Sequence, residues 1–169
     1  FTHIRQKESI MFDTLTGVFT RAYILERLKE ELKIARGARN TCSLLILDVD
    51  KFKIINDTYG HASGDTILKE FVVAIRKAVR ATDLVGRYGG DEFLIILPTS
   101  AKDVAYRMAE DIVQAVRSHD IYVGQQEFNI TASIGVATFP EDSTTAEDLF
   151  NKADQALYVT KKKGRDGVS

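Results

Sequence analysis

Four acidic residues stand where predicted strands end, and their positions suggest metal chemistry. Asp48 and Asp50 close the apolar run that begins at Leu44, and Asp91 and Glu92 directly follow a Gly-Gly pair. In a sheet, a strand end and the tip of a neighbouring hairpin can lie side by side, so these carboxylates can converge. Converging carboxylates repel one another unless a cation lies between them. Oxygen ligands of this kind suit Mg²⁺, which accepts one or two carboxylates together with substrate phosphates.

Simpler interpretations of the same residues remain open. Asp50 can instead cap a helix that begins near Phe52, and this interpretation has equal weight with a ligand role. Gly89 and Gly90 can form a primed hairpin turn, or they can keep Cβ atoms away from a bulky triphosphate. Asp48 is harder to explain structurally, because an acid that ends a buried strand is costly without a partner.

The apolar periodicity predicts the elements that position these acids. Helices are predicted from about Arg21, over 68–79, over 104–116 with a capping box at Ser100, and from Thr144. Strands are predicted over 43–49, 84–88, 92–97 and 128–137. This order predicts an α/β (α+β) fold, in which helices flank a mixed central sheet that carries a hairpin at Gly89-Gly90.

The composition excludes several other classes of protein. The chain has 169 residues, enough for one domain with a sizeable core, and its net charge is −1. That balance lacks the broad basic face that binding to DNA or RNA needs. One cysteine and three scattered histidines exclude a Cys/His zinc site. No apolar stretch reaches the length of a membrane span, so we expect a cytoplasmic protein without direct membrane contact, unless an upstream region tethers it.

The residues around the Gly-Gly pair resemble a known family. Gly89 to Phe93, preceded by Arg87-Tyr88, is similar to the signature of GGDEF domains, the diguanylate cyclases. Further stretches match family landmarks in the same order, at 13–17, 48–57, 60–65, 133–137 and 153–158. The resemblance covers Asp13 to Arg165. It implies that residues 13–169 are the catalytic domain. Residues 1–12 are a short charged lead-in that begins without an initiator Met, so we expect them to be the end of a connecting helix or linker from an upstream region.

The resemblance implies both a fold and an activity. GGDEF domains are similar in fold to nucleotidyl cyclases and polymerase palms, and they condense two GTP into cyclic di-GMP with release of pyrophosphate. Each chain supplies half of an active site, so a homodimer is expected, controlled by an upstream sensory or receiver domain. Two Mg²⁺ or Mn²⁺ ions per half-site would be held by Asp48, Asp91, Glu92 and the carbonyl of Val49. Asp91 is also a candidate to accept the proton of the attacking 3′-hydroxyl.

The same resemblance assigns residues to the guanine base. Asn56 and Asp65 match the positions that recognise guanine, whose N1–H and N2–H groups can donate as a pair to a carboxylate. Adenine lacks that pair and would leave Asp65 unsatisfied, a loss of ~1–3 kcal/mol. The structural alternatives are a turn role for Asn56 and a helix N-cap for Asp65 after Gly64.

Basic residues are assigned to the triphosphate. Lys53, Lys161 and Arg165 match family positions that contact phosphate, and Lys53 is counted among the catalytic residues for this reason. Phe52, Gly89 and Gly90 complete the expected substrate site. Lys161 and Arg165 are four positions apart, so they share a helix face if the last helix extends that far, although Gly164 opposes this. The alternative is a solvated basic end of a helix.

A second ligand site is implied just upstream of the signature. Arg80 and Asp83 match the family's inhibitory product site, where an arginine fork would grip cyclic di-GMP and the carboxylate would accept from guanine. The structural alternative is an arginine at a helix end beside a turn aspartate. Asp111 stands where many members carry an arginine that completes this site. This departure leaves the strength of product binding open.

Three rival functions follow from the same residues. A silent receptor would only bind cyclic di-GMP through Arg80 and Asp83, but receptors of this kind usually lose the acidic signature. A cyclase that makes a mixed purine dinucleotide is opposed by Asp65, because a small hydroxyl residue there would relax the choice of base. A purely structural module gives no reason for acids at both a strand end and a hairpin tip.

Overall fold

The computed structural model describes residues 10–169, and it confirms the predicted mixed α/β architecture. The strands are β1 (Cys42–Val49), β2 (Leu84–Arg87), β3 (Glu92–Pro98), β4 (Ile121–Val123), β5 (Gln126–Phe128), β6 (Ala132–Phe139) and β7 (Gly167–Val168). The helices are α1 (Arg21–Ala38), α2 (Phe52–Tyr59), α3 (His61–Ala78), α4 (Lys102–Arg117) and α5 (Ala146–Lys162). Most of the expected connecting segment, residues 1–12, lies outside the described residues. Across residues 10–169, none of the helices combines the length and apolar character of a membrane span.

Five strands form the central sheet in the order β2-β3-β1-β6-β7. The pairs β2–β3, β3–β1 and β1–β6 are antiparallel, and only β6–β7 is parallel. β4 and β5 form a separate hairpin. β1 therefore lies at the centre of the sheet, and the end of β1 that carries Asp48 is flanked by the start of β3 and the start of β6.

Alternate residues of β1 pack into two different cores. Leu45 and Leu47 contact the core that contains α3 and α4, whereas Leu44 and Ile46 contact the core that contains α1 and α5. All eight residues of β1 are buried, which explains the continuous apolar run in the sequence. Because side chains alternate along a strand, Asp48 continues the series of Leu44 and Ile46 and faces α5.

Gly135 allows α5 to lie directly on the sheet. A Cβ atom at this position of β6 would overlap the backbone of Ala153 and Leu157 in α5. One turn further along, the hydroxyl of Thr160 donates to the carbonyl of Ile134 at 3.0 Å. These contacts fix the last turn of α5 beside the strand ends, and that turn carries Lys161.

The secondary structure differs from the sequence-based expectations in several places. Gly60, with φ of 90°, ends α2 and begins α3, so the region before the second long helix is itself helical. The strand expected over 128–137 begins later, at Ala132 of β6, whereas Phe128 ends the separate strand β5, and the short strands β4, β5 and β7 were not predicted. The capping box at Ser100 was wrong: Ala101 is the N-cap of α4 without a side-chain bond, and Ser100 instead accepts from Arg80 at 2.7 Å.

Candidate active site

Asp48 and Glu92 lie directly opposite each other on neighbouring strands. They are Cα partners in the antiparallel register of β1 and β3. Opposite residues of such a pair project to the same face of the sheet, so both carboxylates face the side covered by α5. Asp91 immediately precedes β3, at the tip of the β2–β3 connection. Three acids from two separate stretches of chain are thereby brought to one edge of the sheet.

Lys161 reaches into this acidic edge from α5. Its ammonium nitrogen lies 2.5 Å from Oδ2 of Asp48. Asp48 is only 5% exposed, and this burial raises the pKa of its carboxyl to about 6, although the bond to Lys161 and its charge act in the opposite direction. The negative charges of Asp91 and Asp50 raise the pKa of Asp48 further. Burial likewise raises the pKa of Asp91.

One oxygen of Asp48 has no hydrogen-bond partner. Oδ1 is buried and unsatisfied, while Oδ2 is bound to Lys161. A buried, unpartnered carboxylate oxygen is costly, and it is also what a site for an external ligand presents. Within residues 10–169, no three acidic, histidine or cysteine side chains are grouped tightly enough to hold a metal ion by themselves. Val49, the last residue of β1, pairs with Ala132 and buries its side chain in the core on the opposite face of the sheet.

Asp50 has a structural role rather than either of the two roles considered from the sequence. Its carboxylate accepts from the hydroxyls of Thr131 and Ser133, both at 2.6 Å, and from the backbone N–H of Asp166 at 3.0 Å. Lys51, with φ of 58°, is the N-cap of α2. Asp50 therefore ties the start of β6 to the loop after α5, and its oxygens are already occupied.

The glycine pair does not form a primed turn. Primed turns need positive φ at one or both central residues, and neither Gly89 nor Gly90 is among the residues with positive φ. A Cβ atom at Gly90 would meet nothing within 4 Å, and one at Gly89 would come no closer than 3.5 Å to Glu92 Oε2. Neither backbone conformation nor packing within the chain requires glycine at these positions.

Arg87 binds the backbone carbonyls of this turn. Its guanidinium donates to the carbonyl of Gly89 at 3.2 Å and to that of Gly90 at 2.7 Å. The same group contacts Asp13, with Nη1 to Oδ2 at 3.3 Å, and Asp13 also accepts from the backbone and hydroxyl of Thr16. Sequence reasoning assigned no role to Arg87 or Asp13, although both belong to the motifs that carried the family resemblance.

Asn56, Gly64 and Phe52 meet where α2 packs on α3. A Cβ atom at Gly64 would overlap the amide oxygen of Asn56, and it would lie 3.2 Å from Cζ of Phe52. The amide nitrogen of Asn56 pairs with Nδ1 of His61 at 3.0 Å, but its Oδ1 is buried without a partner. Asp65 follows Gly64 and is exposed. Both structural alternatives were wrong, because Asn56 lies within α2 and Asp65 lies inside α3, which begins at His61.

The predicted phosphate contacts are distributed over two elements. Lys53 is exposed in the first turn of α2, and the N-terminus of that helix has no side-chain cap. Arg165 is exposed beyond the end of α5, which stops at Lys162. Gly164 and Arg165 have φ of 117° and 64°. Lys161 and Arg165 therefore do not share a helical face. The helix ends before Gly164, as that glycine had suggested.

Arg80 and Asp83 bind each other just before β2, at the end of that strand opposite to the Gly89-Gly90 turn. The Arg80 guanidinium lies 2.8 Å from Oδ1 of Asp83, and the backbone N–H of Arg80 donates to Oδ2 at 2.8 Å. The Asp83 side chain is fully buried, whereas that of Arg80 is 42% exposed. This arrangement matches the structural alternative of an arginine beside a turn aspartate. Asp111 lies exposed on α4.

A family model described as "Diguanylate cyclase, GGDEF domain" matches residues 10–167, which is almost the whole chain. The chain belongs to the GGDEF family. Among curated relatives, the response regulator PleD of Caulobacter vibrioides is 40% identical over 163 residues, which cover 95% of this chain and 36% of PleD. The chain therefore spans about a third of that relative's length.

Solved GGDEF structures have the same fold. The isolated GGDEF domain of TpbB from Pseudomonas aeruginosa is 36% identical, has a TM-score of 0.89, and aligns over 93% of this chain and 92% of that one. The full-length TpbB is described as a diguanylate cyclase. The GGDEF domain of DgcB from Caulobacter crescentus, solved in complex with c-di-GMP, is 31% identical with a TM-score of 0.88 over 94% of this chain and 92% of that one.

Proposed function

We propose that this GGDEF domain is a diguanylate cyclase, which condenses two GTP into cyclic di-GMP and two pyrophosphates. The observation that carries the proposal is the placement of Asp48 opposite Glu92, next to Asp91, at one edge of the sheet. An intact set of acids at this edge is what nucleotidyl transfer requires of the protein. The family model and the diguanylate cyclase TpbB support the same reaction.

The acids fit a divalent metal site. Their oxygens are hard ligands, and the unpartnered Oδ1 of Asp48 is an acceptor that a cation would satisfy. Asp48, Asp91, Glu92 and the carbonyl of Val49 would hold Mg²⁺ or Mn²⁺, with two ions per GTP. Bound metal would neutralise the triphosphate and lower the pKa of the 3′-hydroxyl that attacks the α-phosphate in line. Asp91 would accept the hydroxyl proton.

The surrounding residues would position GTP against these acids. The uncapped N-terminus of α2 directly follows the end of β1, and helix N-termini attract phosphate. Lys53, Lys161 and Arg165 would neutralise phosphate oxygens. Asn56 and Asp65, at the junction of α2 and α3, would recognise the guanine edge next to Phe52. The open space at Gly90 would admit the nucleotide close to the backbone of the turn, beside Gly89.

Two chains would be needed for one turnover. Each chain would hold one GTP, so the 3′-hydroxyl of one nucleotide must meet the α-phosphate of the other across a homodimer. The rate per chain should therefore rise with protein concentration. We further propose that a sensory or receiver domain outside this chain controls the pairing, and that cyclic di-GMP inhibits through Arg80 and Asp83.

The decisive experiment is incubation with GTP and Mg²⁺, followed by chromatographic separation of the nucleotides. Wild-type protein should give a cyclic dinucleotide peak that disappears in Asp91→Asn. Asp103→Asn is the matched control, because Asp103 is exposed on α4, which follows the opposite end of β3. Absence of product at high protein concentration, with cyclic di-GMP still bound, would instead support the receptor function.

A further inference from the structure

Lys161 pairs with Asp48, and its ammonium also senses the charges of Glu92 and Asp91. Its ammonium contacts Asp48 directly. Burial lowers the pKa of Lys161, but the bond to Asp48 and the charges of Asp48, Glu92 and Asp91 raise it overall. Among the described residues, Lys161 is the cation that forms an ion pair with the buried Asp48. Its position is the one in which a divalent ion would have to compete for Asp48.

The two oxygens of Asp48 show that this neutralisation is incomplete. Oδ2 is paired with Lys161, whereas Oδ1 is buried and has no partner. Asp50, two residues away, provides the contrast, since three donors satisfy its carboxylate. A monovalent ammonium therefore satisfies only half of the Asp48 carboxylate. A divalent ion would be a better counter-ion for the same group.

Lys161 lies where its side chain has room to move away from Asp48. Its side chain is 35% exposed, and it lies in the last turn of α5, which ends at Lys162. A lysine carries a compact charge on a long flexible stem, so the ammonium can move several ångströms while the backbone stays in place. The contacts of Gly135 and Thr160 hold the helix independently of the lysine.

We propose that Lys161 is an exchangeable counter-ion, which occupies Asp48 before nucleotide binds and moves to the triphosphate when a divalent ion takes its place. This inference rests on the proposed cyclase function. Lys161 would weaken the binding of metal alone and strengthen the binding of nucleotide. Metal and GTP would consequently bind cooperatively, because each ligand removes the obstacle to the other.

The test uses the intact chain and two ligands measured separately. Mn²⁺ binding without nucleotide is followed by electron paramagnetic resonance, and binding of a non-reactive GTP analogue with Mn²⁺ is followed by calorimetry. Lys161→Met should bind Mn²⁺ alone roughly 10-fold more tightly than wild type and the GTP analogue roughly 10-fold more weakly, about the effect of one partly screened charge pair. Lys161→Arg keeps the charge and should retain weak Mn²⁺ binding.

Lys162→Met is the matched control. It removes the same charge from the adjacent position, where the ammonium lies over the ring of Tyr158 rather than beside the acids. It should change neither affinity. Equal Mn²⁺ affinity in wild type and Lys161→Met would overturn the proposal, and so would an equal gain in Lys162→Met or unchanged affinity for the GTP analogue in Lys161→Met.

These results separate this inference from the cyclase assignment. The Mn²⁺ measurement needs no turnover, whereas the cyclase function depends on product formation by the wild type. A wild type without product, together with opposite shifts in the two affinities, would contradict the cyclase function alone. Product formation with no shift in Mn²⁺ affinity would contradict the counter-ion exchange alone. Thermal melts identify a variant that does not fold, in which case Lys161→Gln replaces Lys161→Met.

Discussion

Arg87 links Asp13 to the turn that precedes Asp91 and Glu92. One edge of its guanidinium is paired with Asp13, and the other donates to the carbonyls of Gly89 and Gly90. Asp13 and Arg87 are both about one-fifth exposed, so the pair is partly shielded from water. The turn that begins at Asp13 is thereby connected to the position of Asp91.

Replacing Arg87 should reduce the rate more than the stability. Arg87→Gln would release two carbonyls of the turn, so Asp91 would be less well oriented, and a misplacement of this kind can lower the rate roughly 100-fold. The loss of unfolding free energy should be about 1 kcal/mol, because the ion pair is partly solvated. Steady-state product formation and urea denaturation measure the two effects.

Arg27→Gln provides the control for an ion pair of similar exposure. Arg27 bonds to Glu31 at 2.8 Å on α1, with 28% and 12% of the two side chains exposed, and it does not contact the turn. If both variants lose the same fraction of activity, Arg87 has no specific positioning role.

Gly90→Ala should separate folding from activity. The Gly90 backbone does not require positive φ, and a Cβ atom there meets no neighbour within 4 Å, so the unfolding free energy should change by less than about 0.5 kcal/mol. If GTP occupies that space, product formation should fall at least ~10-fold, about the cost of a displaced substrate. Gly135→Ala should instead lower the unfolding free energy by ~1–3 kcal/mol or more, because its Cβ atom would overlap the backbone of α5. Full activity in a folded Gly90→Ala protein would contradict close approach of nucleotide to the turn.

Long elements with one regular hydrophobic pattern could be predicted from the sequence. The run in β1 identified a strand buried on both faces, and the alternation within it also determines that Asp48 faces α5. The α2–α3 junction was harder to predict, since Gly60 joins two helices with little change in composition. Short β5 was missed because three residues are too few to establish a period.

The partners of the site residues could not be predicted in the same way. The Arg87–Asp13 pair spans 74 positions, and nothing in either local pattern specifies the other residue. Likewise, Asp50 was open to two local interpretations, but its donors come from β6 and the loop after α5. Local patterns determine which face a side chain occupies, whereas its hydrogen-bond partners depend on the packing of distant segments.

Asp65→Ser should relax the choice of base. Loss of a carboxylate that accepts the guanine N1–H and N2–H pair should reduce the preference for GTP over ATP by roughly 10- to 150-fold. Competition between the two nucleotides in the presence of Mg²⁺, with the products separated by chromatography, measures this ratio. Asp111→Ser, which alters an exposed acid on α4, should leave the preference unchanged. An unchanged ratio in Asp65→Ser would remove Asp65 from base recognition.

Arg80→Ala should affect both feedback and stability. Product inhibition should weaken, so more cyclic di-GMP should accumulate, because the arginine fork would no longer grip the product. The unfolding free energy should fall by ~1–3 kcal/mol, since the buried Asp83 carboxylate loses its charged partner. Ser100→Ala removes one contact of Arg80 but keeps the guanidinium, so its inhibition curve with added cyclic di-GMP should match wild type. If Arg80→Ala is inhibited as strongly as wild type, its role is structural alone.

Asp48→Asn should stabilise the fold while it abolishes synthesis. Burial raises the pKa of Asp48 to about 6 from the ordinary aspartate value of 3.8, so the folded state disfavours the ionised carboxylate by up to roughly 3 kcal/mol above that pH. In EDTA at about neutral pH, the variant should therefore unfold at a higher urea concentration than wild type. Below about pH 4 the carboxyl is protonated in both states, and this advantage should vanish. Lys161 is partly exposed and can be hydrated when its partner becomes neutral. A wild type that is more stable than Asp48→Asn across this range would show that the pair with Lys161 outweighs the burial of the acid.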